Sequence, residues 1–131
     1  LGAGFLGARI DHELACFHAL VVHAHRRVIL IDDTQIVFLC PPSCQITIGE
    51  GALVSLFPLV SLQAGSEGLH WPITGLDLAP GLVIGTSNRA VYGRVGLTCD
   101  RPGLLVILPR PELAAARTAL LHAAPWPVPA G

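Results

Sequence analysis

The chain contains no lysine and no methionine, and charged residues make up only 13% of its 131 positions. That is about half the usual share for a soluble domain. Eight basic residues, all arginine, stand against nine acidic ones for a net charge of −1. No basic footprint of the kind nucleic acid demands is present, so no nucleic-acid partner is expected. The apolar runs are short, residues 104–108 being typical, and none approaches the ~20 residues of a spanning helix. No membrane partner is expected. Leu1-Gly2-Ala3-Gly4 lacks the basic segment of a signal peptide. With no initiator methionine either, the chain reads as beginning inside a longer protein, and the expected location is cytoplasmic. Aromatic residues are scarce at 5%, which argues against a carbohydrate-binding sandwich exposing several rings. Neither a G-x-S-x-G elbow nor a Walker-type phosphate loop occurs, and the six histidines form no triad with nearby hydroxyls. This disfavours a hydrolase but not a phosphoryl-transfer enzyme, which needs no covalent nucleophile.

Hydrophobic residues, by contrast, reach 52%. So little charge cannot cover an ordinary surface, which leaves two explanations: a partner hides part of the surface, or a further domain covers it. Cys16, Cys40, Cys44 and Cys99 sit among apolar, strand-like neighbours and read as reduced, buried thiols. Cys40-Pro41-Pro42-Ser43-Cys44 has ligand-like spacing, with His18, His23 and His25 upstream. A proline turn between two small buried residues explains it more simply.

The pattern along the chain is mainly β. After a glycine-rich entry, residues 11–25 read as a helix with Leu14, Phe17, Val21 and Val22 on one face. Asp11 suits its N-cap. From Arg27 onward β-rich runs follow at 28–31, 35–40, 45–48, 53–57, 69–71, 76–78, 82–84, 90–98 and 104–108, separated by turn residues. Many short strands at close spacing predict a β-sandwich or jelly-roll-like domain over residues 26–109. One helix precedes it, and a short C-terminal helix from Pro111 or Glu112 to His122 follows it. The proline-rich segment 125–129 reads as a loose tail.

Three polar segments stand out from the apolar background. Gly7-Ala8-Arg9-Ile10-Asp11-His12 opens the first helix, where free N–H groups and the dipole favour an anion. Arg9 offers a phosphate two donors, and Asp11 reaches phosphate only through an intervening Mg²⁺. A capping Asp beside a solvated Arg accounts for the same residues. Gly68-Leu69-His70-Trp71-Pro72 puts an indole next to a proline, hence at a strand end. There it is either a core ring or a cover for an aromatic or cationic ligand. Gly85-Thr86-Ser87-Asn88 combines a flexible glycine with two hydroxyls and an amide. The group suits an aminopyrimidine edge, and equally a plain turn.

Taken in order, Gly7 to His12, Val54-Ser55-Leu56-Phe57-Pro58-Leu59, Gly68 to Ile73 and Gly85 to Arg89 resemble the C-terminal part of thiamine pyrophosphokinase in its bacterial form. That family carries G-G-R-x-D-H, V-S-L-x-P-L, G-L-x-W-P-L and G-T-S-N-x strings in the same order. Ala8 stands where the family often has a second glycine. The resemblance implies transfer of a diphosphate from ATP to thiamine with Mg²⁺, in a homodimer. It further implies that residues 1–25 end an N-terminal α/β nucleotide-binding domain, that 26–109 form the thiamine-binding sandwich and that 110–131 form a terminal helix and tail. By the same resemblance Arg9, Asp11 and His12 face ATP, with Asp11 as the catalytic and metal-binding carboxylate. Trp71, Thr86, Ser87 and Asn88 border thiamine. The acidic residues are otherwise scattered, so the chain alone is expected to be inactive or nearly so. The alternative from a different class is a non-catalytic ligand-binding or dimerisation module.

Overall fold

The computed structural model describes residues 2–3 and 9–129. Strands β1 (Gly2–Ala3), β2 (Ile29–Ile31), β3 (Gln35–Leu39), β5 (Leu53–Pro58), β8 (Gly85–Arg89) and β10 (Leu104–Pro109) form one sheet, in the order β1-β2-β3-β10-β5-β8. Strands β4 (Ser43–Thr47), β6 (Leu62–Glu67), β7 (Asp77–Leu78) and β9 (Arg94–Cys99) form a second, ordered β4-β9-β6-β7. From β3 onward the chain crosses repeatedly between the sheets. Among the described residues all pairings between these strands are antiparallel except β1 with β2. The predicted sandwich, with one helix ahead of it and one behind, is what forms.

Alternation along each strand builds the shared core. Ile36 and Phe38 on β3, Val54 and Leu56 on β5, and Leu104, Val106 and Leu108 on β10 point inward from the larger sheet. They meet Cys44, Ile46, Leu62, Val95 and Leu97 from the smaller one. Helix α2 (Leu113–His122), entered through a short 3-10 turn Arg110–Glu112, adds Ala116, Ala119 and Leu120 to that core. The alanines at 116 and 119 let the helix lie close against the sandwich. Arg27 fastens its far end by donating to the Leu120 and Ala123 carbonyls, at 2.8 and 2.9 Å, which a helix C-terminus leaves without intrahelical partners.

Helix α1 (Ile10–Val22) packs on the outer face of the larger sheet. Cys16, Phe17, Leu20 and Val21 lie over Leu30, Val37, Leu39 and Leu105. The face predicted from the sequence is therefore rotated: Leu14 is 59% exposed and Val22 53%. Positions 16, 17, 20, 21 and 24 form the contiguous stripe that a 3.6-residue period presents to one neighbour. With the second sheet below and α1 above, β3 and β10 are covered on both faces. Their near-continuous apolar runs follow from this double burial, so part of the hydrophobic excess is internal.

Other expectations needed correcting. The N-cap is Arg9, which makes no side-chain cap bond, while Asp11 lies within the first turn. Strands β6 and β8 were not expected, because Gly65 and Gly85 and their polar neighbours weaken the strand signal. The run at 90–98 is broken by a turn before Arg94, and of residues 69–71 only Leu69 pairs, with Ala90. Segment 125–129 is not loose at Trp126, whose indole N–H donates to the Cys40 carbonyl at 2.8 Å, the partner a part-buried indole requires. None of the four cysteines is in a disulfide. The hydrogen bond between Cys44 and Cys40, and then burial, hold the Cys40 thiol well above the usual thiol range. No described helix is long and apolar enough to cross a membrane.

Candidate functional site

Strand β8 lies at the edge of the larger sheet, paired with β5 through a register shift between Val54 and Leu56. An edge strand has one side free to receive another segment, and here that segment carries Trp71. Asn88 makes the connection. Its Oδ1 accepts the Trp71 N–H at 3.0 Å and the Arg89 N–H at 2.9 Å, and its Nδ2 donates to the Trp71 carbonyl at 2.7 Å. At 3% exposure it is the one buried polar side chain among the described residues. Two further bonds hold the same loop: His70 N–H to the Arg89 carbonyl at 2.8 Å and Ile73 N–H to Ser66 Oγ at 3.0 Å.

So braced, Trp71 is left 56% exposed. His70 stands against it edge-to-face, with ring centroids 4.3 Å apart. A ring fixed at its backbone yet open to solvent on the side chain is poorly accounted for by core packing. It is suited to stacking on a flat or cationic ligand. Leu82, Val83 and Ile84, all exposed, bring apolar surface up to the start of β8.

On β8 itself Thr86 and Ser87 are exposed. Ser87 has φ 61°, the sole positive φ of a described non-glycine residue, a conformation that costs an L-residue roughly 1–2 kcal/mol. The Ser87 N–H donates to Ser55 Oγ at 2.9 Å, which helps hold it there. Ser55 was not singled out as a site residue in the sequence. Its only signal was membership of the Val54-Ser55-Leu56 string, whose alternation reads as ordinary strand. Residues 85–88, which could equally be read as a plain turn, thus belong to a strand with a local irregularity that turns one hydroxyl-bearing residue out of the regular pleat.

The third segment is separate. Gly7 and Ala8 lie outside the described residues. Arg9 and Asp11 turn on each other, with Nη2 to Oδ2 at 2.7 Å and Nε to Oδ1 at 3.2 Å, both side chains exposed. Arg9, and then the His12 N–H, hold the Asp11 carboxyl below its usual range. Whatever stability the pair adds is present at neutral pH and is lost as pH falls through the carboxyl range, and being fully exposed it adds little. Among the described residues no hydrogen bond or ion pair links this segment to Trp71 or β8. Nor do three or more His, Cys, Asp or Glu side chains gather into a group that could hold a metal ion. Asp11 is the only carboxylate among residues 9–12, and it is paired with Arg9.

No protein-family model matches the chain. Among curated proteins, thiamine pyrophosphokinase 1 of rice is 33% identical over 104 residues, covering 74% of this chain and 39% of that protein. Thiamine pyrophosphokinase 1 of Arabidopsis thaliana is 30% identical over 107 residues, covering 76% and 40%. The chain thus spans about two fifths of the length of these relatives. Two solved structures share the fold, each aligned over 82% of this chain. Thiamine pyrophosphokinase from Bacillus subtilis superposes with a TM-score of 0.70 at 20% identity, over 53% of its own length. That from Candida albicans superposes with a TM-score of 0.72 at 17% identity, over 43% of its length.

Proposed function

Over the portion it shares with them, this chain belongs to the thiamine pyrophosphokinase family, and on that footing we propose that it supplies the thiamine-holding side of an enzyme transferring a diphosphate from ATP to thiamine. The observation that carries this is the Asn88 clamp, which joins the Trp71 segment to β8 as one surface. Thiamine is a substituted aminopyrimidine joined to a thiazolium. The open Trp71 face suits the thiazolium, which is both aromatic and cationic. The hydroxyls of Thr86 and Ser87 can donate to and accept from the aminopyrimidine edge. In this proposal the division follows the resemblance: residues 1–25 end a nucleotide-binding domain, residues 26–109 form the thiamine-binding sandwich, and residues 110–131 form a terminal helix and tail.

Arg9, Asp11 and His12 then face the ATP phosphates. The Arg9 fork, which holds both carboxylate oxygens of Asp11, has the geometry to hold two oxygens of a phosphate. When bound, Mg²⁺ would neutralise phosphate charge. In this proposal Asp11 would be the residue of this chain that holds the ion beside the phosphates, and no metal-dependent step is assigned to it. A cytoplasmic homodimer completes the proposal. Four cysteines without a disulfide suit a reducing compartment, and the exposed apolar residues flanking β8 suit a subunit contact.

Replacing Trp71 by Ala in the full-length protein is expected to raise the thiamine KM about tenfold or more, the loss of roughly 1.4 kcal/mol of stacking, with the ATP KM near normal. Steady-state AMP release measures both, and an unaltered thiamine KM would overturn the assignment. The 131-residue chain alone, mixed with ATP, Mg²⁺ and thiamine, is expected to release almost no AMP. Turnover of about 1 s⁻¹ or more would show that its site is complete.

A further inference from the structure

Asn88 invites assignment as a direct ligand contact, since its amide can both donate and accept. Its surroundings give it different work. An amide oxygen has two lone pairs, and both are engaged, by the Trp71 and Arg89 N–H groups. One amide hydrogen is committed to the Trp71 carbonyl at 2.7 Å. The side chain is 3% exposed, whereas Trp71 is 56% exposed. A ligand lying on the indole therefore meets Trp71 and has little of Asn88 to touch.

We infer that Asn88 is a positioning residue for thiamine, acting wholly through Trp71 by fixing the backbone on both sides of that residue. The inference rests on Trp71 being a thiamine contact, as proposed above. A single side chain that bonds both the N–H and the C=O of one residue mimics a neighbouring β-strand at the point where β8 has none. Without it the loop keeps the His70 and Ile73 bonds, so it stays attached, but the peptide units bearing the indole lose their fixed orientation. Stacking depends on ring placement to within about half an ångström to an ångström, so the consequence is a weaker hold on thiamine rather than an unfolded domain. Asp in place of Asn tests this at constant shape. It keeps the accepting oxygen but sets a second oxygen against the Trp71 carbonyl, where the amide donated.

The experiment has two arms. In the first, the 131-residue chain is labelled with 5-fluorotryptophan, giving two fluorine signals from Trp71 and Trp126, assigned with a Trp126→Phe variant. Asn88→Asp is expected to shift or broaden the Trp71 signal and leave that of Trp126 in place. In the second, the full-length protein carries Trp71→Ala, Asn88→Asp and both together. Asn88→Asp alone is expected to raise the thiamine KM about tenfold with the ATP KM little changed. The double variant is expected to match Trp71→Ala within about twofold, because a residue acting only through Trp71 has nothing left to lose. Effects that multiply would make Asn88 a direct contact and overturn the inference, as would an unmoved Trp71 signal. If Trp71→Ala by itself leaves the thiamine KM unaltered, the underlying assignment falls first. If only the Asn88 results fail, the inference alone falls. Should Asn88→Asp not fold, Asn88→Ser, which is smaller and uncharged, is read by the same two signals.

Discussion

Gly68→Ala is expected to destabilise the chain by about 2–5 kcal/mol, read as a lowered denaturant midpoint at unchanged slope. Two effects combine. Gly68 has φ 81°, which costs an L-residue roughly 1–2 kcal/mol. The remainder is steric: a Cβ at Gly68 would press into the backbone carbonyl oxygen of Arg94, well inside the 3.0 Å that real Cβ atoms essentially never breach. A flexible side chain could swing away, but a strand carbonyl cannot move without disturbing the β9 ladder, and overpacking of this kind costs about 1–3 kcal/mol. Gly51 supplies the control. Its φ of 78° is nearly the same, yet nothing lies within 4 Å of a built Cβ, so Gly51→Ala should cost only the conformational part. Equal losses at the two positions would show that the Arg94 carbonyl yields and that the clash is not real.

Phe38→Ala is expected to cost about 3–5 kcal/mol, a large part of the 5–15 kcal/mol that holds an ordinary domain folded. Phe38 is fully buried on the inner face of β3, opposite Ile29 on one side and Val106 on the other. The cavity left between two sheets cannot collapse readily, since each wall is fixed by its own hydrogen-bond ladder. Phe57, two strands over on β5 and turned to the outer face, is only half-buried. Phe57→Ala should cost clearly less. Thermal or denaturant unfolding of both variants checks the inside–outside assignment of the larger sheet. If the Phe57 variant were the less stable of the two, that assignment would be reversed.

The β-sandwich was legible in the sequence because its strands are short, rich in Val, Ile and Leu, and punctuated by Gly, Pro and Asp. Both flanking helices were legible too, the second through Pro111 ahead of an alanine-rich stretch. Strands β6 and β8 were not, and the reason is common to both. Gly65-Ser66 and Gly85-Thr86-Ser87-Asn88 have little intrinsic preference for extended structure, and their neighbours on β9 and β5 impose it. The position of α1 escaped notice for a related reason. Its apolar residues fit more than one stripe, and only the shape of the outer sheet face selects Phe17, Leu20 and Val21 over Leu14 and Val22.

The same division holds at the candidate site. Sequence alone determined the fold class, the family through its four ordered strings, and Trp71 and residues 86–88 as the chemically unusual positions, since residue identity and order carry that information. Tertiary structure alone decided that Trp71 and Asn88 meet, that the indole faces outward while the amide faces inward, and that Ser87 is held at positive φ by Ser55. These are facts about hydrogen bonds between segments distant in the chain. A local string cannot specify whether an Asn spends its amide on a ligand or on a backbone 17 residues away, because both uses demand the same atoms and only the neighbours differ.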